Sequence, residues 1–433
     1  MPIITPEYNF YNWSDQNYPT IEPSLRLDFA NARALDPRIT FTRASVGTCV
    51  GANGLIKNVG VDEPRFDHDP TTGESLGLLI EESMTNYQTY SVDINTGKSF
   101  LTGSTLSSNV AIAPDGTTTA TRITGSGIDE ITRLGWNTQG TSNTQYNVFS
   151  VFVKANSGTP ILGFYSNTFV AGAVAFNIDL SDGSTNTISG SGSFSSKVVA
   201  YPNGWYRVTV MGGPGTGASG SWNINLVPSL TSARGSQSGS NASASYFIWG
   251  VQEELSSGFF PTSYIPTSGS TVTRAADLPY IEGTSFSSWY NPEGGAYVLD
   301  VIAYSYSGMF FGFGTSSYLE SFNISNSGGT QFYVAGNYNT SNAYTGNMNL
   351  DQSNKIGASF NSTGQRVCSN GQSVNASSFS PPDTSLFTDF DRLSFGGNIP
   401  WDKTYTSQRK THVKSFSYYP KYLSDAQLKA LTQ

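Results

Sequence analysis

The sequence predicts an all-β protein: an N-terminal arm, two antiparallel β-sandwich (jelly-roll) domains and a short C-terminal helix. Three observations carry that prediction. Only 12% of the 433 residues are charged, and 45 glycines stand with abundant Ser, Thr and Asn where helices would favour Lys and Glu. Aromatic residues make up 13% of the chain, enough to fill sandwich cores and leave rings over for a binding face. Short alternating apolar and polar runs recur between Gly/Ser/Asn turns, with no helical period separating them. A chain this long exceeds the usual single core. The divisions expected are an anchoring arm over 1–24, a small β-rich module over 25–86, a first sandwich over 87–275 and a second over 276–433.

The arm carries Tyr8, Phe10, Tyr11, Trp13 and Tyr18 without a clear period. So short a segment cannot bury those rings by itself. It either anchors on a neighbouring protein or protomer or folds back on its own domain. In the module, Phe41-Thr42-Arg43-Ala44 and Leu78-Leu79-Ile80 read as strands. Gly51-Ala52-Asn53-Gly54 and Asp69-Pro70-Thr71-Thr72-Gly73 read as turns. Asp67-His68-Asp69 invites a metal or acid–base reading; the competing reading has the two aspartates holding turn backbone ahead of Pro70. On an extended chain His68 faces away from both neighbours. No metal is assigned.

The first sandwich shows strands at 119–123, 147–153, 175–180, 205–210 and 246–251. Trp205 and Trp249 sit inside such runs, where core packing competes with a sugar-stacking platform. Trp136, Trp222 and Tyr165 lie nearer glycine-rich turns and are expected to be more exposed, so they too are ligand-binding candidates. Two prolines and a Thr/Ser-rich run over 261–277 mark a linker or crossing strand. The second sandwich shows strands at 295–301, 308–313, 331–334, 355–360, 392–396 and 412–419, with an Asn370-Gly371 hairpin turn. Tyr344, Asn347, Trp401 and Asp402 fall in its loops, where they would line a ligand rim. At the end, Ser424 caps a short helix with Gln427 three residues on, and Leu428 and Leu431 share one face.

Composition also excludes. Net charge is −8 with no Lys/Arg run, which argues against nucleic acid as a partner. No window approaches 18 apolar residues, and MPIITPEYNFYNW lacks the basic start and apolar core of a signal peptide, so neither membrane insertion nor conventional secretion is expected. Cys49 and Cys368 fall in different expected domains, which argues against a disulfide. Of the two histidines, His68 and His412, neither accompanies a nucleophile motif, and no catalytic residue or cofactor is assigned. A glycan depolymerase needs only two carboxylates and stands as the enzymatic alternative. Asp93, Asp179, Asp182 and Asp300 sit beside turns or strand ends, where capping is the ordinary role.

Ordered blocks in the module carry a family resemblance: Leu27-Asp28-Phe29, Phe41-Thr42-Arg43-Ala44-Ser45, Asn53-Gly54, Pro64-Arg65-Phe66-Asp67 and Gly77-Leu78-Leu79-Ile80-Glu81-Glu82. Together they resemble a module of tailed-bacteriophage virion structural proteins of the tail-fibre or head-decoration type. The first sandwich resembles the carbohydrate-binding-module-like sandwiches of such proteins through Ser150-Val151-Phe152-Val153-Lys154, Asn203-Gly204-Trp205-Tyr206-Arg207 and Ile248-Trp249-Gly250-Val251-Gln252. Its exit, Phe260-Pro261-Thr262-Ser263-Tyr264-Ile265-Pro266-Thr267 and then Thr273-Arg274-Ala275-Ala276-Asp277, matches as well. The second sandwich resembles a laminin-G or concanavalin-A-like lectin domain, most specifically in Val413 to Pro420 followed by Leu423 to Leu431. The resemblance implies a virion protein, assembled in the host cytoplasm, that contacts other virion proteins through the arm and host-surface glycans through the sandwiches. It also implies a homo-oligomer, with a trimer favoured. The alternative is a structural head, neck or tail decoration protein without sugar binding.

Overall fold

The computed structural model of the chain describes residues 19, 21–126, 131–138, 145–166, 174–189, 195–212, 220–236, 238–256, 260–305, 307–314, 321–327, 332–335, 348–372, 374–378, 387–397 and 408–433. Antiparallel strands dominate, as the composition predicts, and the longest helix is Asp425–Leu431 at the C-terminus. Among the described residues no helix is long and apolar enough to cross a membrane. The arm residues Tyr8, Phe10, Tyr11, Trp13 and Tyr18 lie outside the described residues, as do Tyr344, Asn347, Trp401 and Asp402.

The first sandwich consists of two six-stranded sheets. One runs in the order Ser195–Tyr201, Trp205–Gly212, Tyr146–Ser157, Ser245–Ser256, Ala120–Gly125, Ser104–Ala111. The other runs Thr185–Ser189, Val174–Asp179, Ile161–Ser166, Ser221–Val227, Arg133–Asn137, Phe100–Thr102. Strand alternation sorts the side chains. In Tyr146–Ser157, Phe149, Val151 and Val153 enter the core between the sheets, with Leu162, Phe164, Ile224 and Leu226 from the facing sheet. Phe152 points to the opposite face and forms a second cluster with Trp205, Trp249, Tyr264 and Ile56.

The second sandwich corrects the expected division of the chain. Its larger sheet runs Asn375–Ser378, Gly364–Ser369, Ser353–Asn361, Gly294–Ala303, Thr411–Tyr419, Ser75–Ile80, Arg65–His68, and Leu25–Asp28 also pairs with Thr411–Tyr419. The facing sheet runs Thr40–Thr42, Leu278–Glu282, Arg392–Phe395, Ser307–Gly314, Ser321–Ser327, Phe332–Ala335. Four strands of 25–86, namely Leu25–Asp28, Thr40–Thr42, Arg65–His68 and Ser75–Ile80, therefore belong to the second sandwich, while Gly47–Val50 with Ile56–Val59 forms a separate ribbon and Met84–Asn86 lies outside both of its sheets. Leu25, Leu27, Phe29, Leu78 and Ile80 fill the same core as Tyr297, Phe311, Phe313, Phe360, Phe416 and Tyr418. The physical reason is that four short strands cannot bury their apolar faces alone. Met84–Asn86 pairs with Val272–Arg274, so the chain leaves for the first sandwich and returns from it side by side. The first sandwich is an insertion in the second. Residues 261–277 accordingly form no free linker: Thr262, Tyr264, Arg274 and Asp277 are buried.

Both ends of the sequence reading hold locally. Ser424 caps the terminal helix by accepting from the Gln427 N–H, and the reciprocal Gln427 bond completes the box. Leu428 packs with Leu423, Cys368, Ala296 and Tyr419. Asn370 and Gly371 both adopt positive φ (49° and 67°), the backbone a two-residue hairpin turn demands. Cys49 and Cys368 are buried free thiols.

Candidate ligand-binding site

A cleft of about 380 Å³ opens at the flank of the first sandwich, where the edge strands of its two sheets part. One wall is the turn between Val174–Asp179 and Thr185–Ser189, contributing Asp182, Gly183 and Thr185; the other is Ser195–Tyr201, contributing Ser196, Lys197, Val198 and Ala200. Tyr206, paired across the ladder with Ala200, lies between them, and Phe176 lines the cleft from the core side. Gly183 adopts φ +78°, and a Cβ there would stand 2.8 Å from the Tyr206 ring, so glycine lets the turn lie directly on the phenol. The turn is built by aspartates: Asp179 Oδ1 accepts the Ser181 N–H at 2.8 Å, and Asp182 Oδ1 accepts the Ser184 N–H at 2.8 Å. Hydrogen bonds from the Ser184 side chain and then its backbone N–H hold the Asp182 carboxyl below its ordinary range, so it is ionised at neutral pH. Lys197 points to the opposite face from Ser196 and Val198. Its ammonium lies 4.5 Å from the Phe260 ring centroid and pairs with Asp351. An aromatic ring flanked by hydroxyls and one carboxylate can stack on the C–H face of a sugar and bond its hydroxyls.

The tryptophans expected to bind ligand take other roles. Trp136 and Trp222 are 0% and 1% exposed and pack beside Phe149 in the core, against the expectation from their neighbouring glycines. Trp136 and Trp222 are cross-strand partners whose even positions face inward, and alternation overrides the nearness of a turn. Trp205 and Trp249, each 1% exposed, lie on the outer face of the other sheet beneath Tyr264 and Ile56. None of the four offers an indole face to a sugar. Tyr165 is buried as well, with the Arg234 guanidinium 5.4 Å from its ring centroid. Sequence reasoning passed over Tyr206 as a binding residue, although Asn203-Gly204 before it marks the tight entry to its strand.

The blocks that carried the family resemblance meet in one buried ion network. Arg65 bonds Glu81 at 2.7 Å and also Asp277, Arg43 bonds Asp277 at 3.0 Å, and Arg274 approaches Glu81 at 3.4 Å, every partner being at most 1% exposed. Ser263 donates its backbone N–H and its hydroxyl to Glu81, both at 2.7 Å, and accepts from Arg65. Burial opposes the charge on Glu81, yet Arg65 and Arg274 outweigh it and hold the carboxyl well below its ordinary range. At Glu82 next door burial outweighs the weaker pull of Arg409 and Arg274 and pushes the carboxyl up to about 7. The metal reading of Asp67-His68-Asp69 separates into three jobs. Asp67 Oδ2 lies 2.8 Å from His412 Nε2, whose Nδ1 meets the Tyr304 hydroxyl at 2.9 Å. His68 Nδ1 lies 3.0 Å from the Val50 carbonyl, and Asp69 accepts the Thr71 and Thr72 N–H groups. The Tyr304–His412–Asp67 chain is buried and ties Arg65–His68 to Thr411–Tyr419.

No protein-family model matches the chain, and no curated protein sequence does. Solved structures match parts of it. A sialidase carbohydrate-binding module (CBM40) of Ruminococcus gnavus, bound to α2,3-sialyllactose, is 16% identical over 34% of this chain and 88% of its own, with a TM-score of 0.30. The NanB sialidase of Streptococcus pneumoniae is 13% identical over 36% of this chain and 26% of its own, at a TM-score of 0.30. Domain 4 of AbnA, an extracellular arabinanase of Geobacillus stearothermophilus in complex with arabinotriose, is 16% identical over 40% of this chain and 82% of its own, at 0.28. These likenesses are partial.

Proposed function

We propose that the chain is a bacteriophage virion structural protein that displays a glycan-binding β-sandwich for host-surface adhesion, as part of a tail or projecting fibre. The observation that carries the binding reading is the flank cleft, in which Tyr206 lies between the Asp182 turn and the hydroxyl-bearing strand Ser195–Tyr201. The virion placement rests on the ordered module blocks, as do the trimer and the arm's contacts with other virion proteins. Several copies on one particle strengthen weak single-site contacts through effective concentration. The reading is of a binder, since hydrolysis of a glycosidic bond needs two facing carboxylates and the described lining supplies one, Asp182.

A purely structural decoration protein is the second reading, and the burial of Trp136, Trp205, Trp222 and Trp249 favours it. One experiment separates them. Soluble protein is tested for blocking adsorption of phage that carry it, beside a Tyr206→Ala variant. Blocking by the wild type and its loss in the variant supports adhesion through the cleft. Equal adsorption with and without the protein, together with density lying flat on capsid or neck subunits in electron micrographs, overturns it.

A further inference from the structure

Among the described residues, the cleft carries one uncompensated formal charge, and it is negative. Two charged residues line it, Asp182 and Lys197. The Lys197 ammonium pairs with Asp351 and lies over the Phe260 ring, so its charge is already met. Asp182 is exposed at the tip of the opposite wall, with one carboxylate oxygen engaged by Ser184. The remaining polar lining comes from neutral hydroxyls, Thr185, Ser196 and Tyr206. A carboxylate is an acceptor only, so it bonds sugar hydroxyls and repels a second carboxylate. The whole chain, at −8, repels anionic ligands in the same sense.

We infer that the cleft selects uncharged saccharides and rejects those bearing a carboxylate, with Asp182 as the specificity-determining residue and Tyr206 as the stacking platform. This rests on the glycan-binding reading of the same cleft. A volume of about 380 Å³ is at the small end of ligand sites and suits one or two pyranose units of a longer chain. Asp182 is exposed and its bonds stay within its own turn, to Ser184, so its replacement acts on the cleft wall and not on the core, and Asp182→Asn keeps an oxygen that can accept from Ser184.

The test is calorimetric binding of neutral and uronic-acid-containing oligosaccharides of equal length to the full chain and to Asp182→Asn, Asp182→Lys and Tyr206→Ala. The expected result is binding of the neutral series at least about tenfold tighter than the acidic series, a narrowed gap in Asp182→Asn, a reversed preference in Asp182→Lys and loss of both in Tyr206→Ala. Acidic saccharides binding more tightly to the wild type, with Asp182→Lys unchanged, overturns the specificity while leaving glycan binding standing. Failure of every saccharide to bind, with all variants folded by circular dichroism, overturns the glycan reading and the specificity with it.

Discussion

Glu81 and Glu82 are adjacent, yet their surroundings drive them in opposite directions. Glu81 meets Arg65, Arg274 and Ser263 and stays ionised, whereas Glu82 is pushed up to about 7 by burial. The consequence is a pH dependence of known sign. A carboxyl whose folded pKa lies above its unfolded value binds a proton in the folded state through the window from about 4.5 to about 7. Glu82 therefore favours folding below that window and disfavours it as pH rises through it. Glu82→Gln is expected to remove this slope and to raise the denaturation midpoint at pH 8 relative to the wild type, with little change at pH 5. Urea titrations at the two pH values check it, and parallel shifts at both would refute it. The sequence showed two consecutive acids and nothing of this contrast, because the guanidinium groups that hold Glu81, Arg65 and Arg274, lie 16 and 193 positions from it.

Elements with local signals were legible. The terminal helix needed only Ser424, Gln427 and the spacing of Leu428 and Leu431, all within eight residues, because capping and amphipathic period are local properties. Its docking is the part with energetic weight: Leu428 is fully buried against Leu423, Cys368 and Tyr419. Leu428→Ala is expected to destabilise the chain by about 2–5 kcal/mol through lost burial and the cavity left behind. Chemical denaturation reads that directly, and an unchanged midpoint would show the helix to be undocked in solution. Strand identity was also local, since alternation placed strands at 147–153, 205–210 and 246–251, each inside an observed strand, Tyr146–Ser157, Trp205–Gly212 and Ser245–Ser256. Face was not. The period of two says that Phe152 and Phe149 point apart, but both faces of that sheet are covered, and only the packing shows which ring meets which core.

For the molecule as a whole, the decisive fact is that residues 25–86 and 276–433 complete one sandwich around an inserted one. Without 25–86, Thr411–Tyr419 loses Leu25–Asp28 and Ser75–Ile80 and becomes a bare edge, and the core loses Leu25, Leu27, Phe29, Leu78 and Ile80. Residues 276–433 expressed alone are thus expected to aggregate. Replacing 87–271 by a short hairpin between Asn86 and Val272, which are cross-strand partners, is expected to leave a soluble, folded second sandwich. Size-exclusion chromatography and circular dichroism of the two proteins decide the matter; a folded 276–433 fragment would contradict the shared core. By itself the sequence determined the all-β class, the strands with clear alternation, the turns and the C-terminal cap, since each follows from backbone preferences over a few residues. Tertiary structure alone decided the nesting of the sandwiches, the burial of four tryptophans, the meeting of Arg43, Arg65, Glu81, Arg274 and Asp277, and the cleft at Tyr206. Those depend on pairings across tens to hundreds of residues, where chain connectivity imposes no spacing for a motif to show.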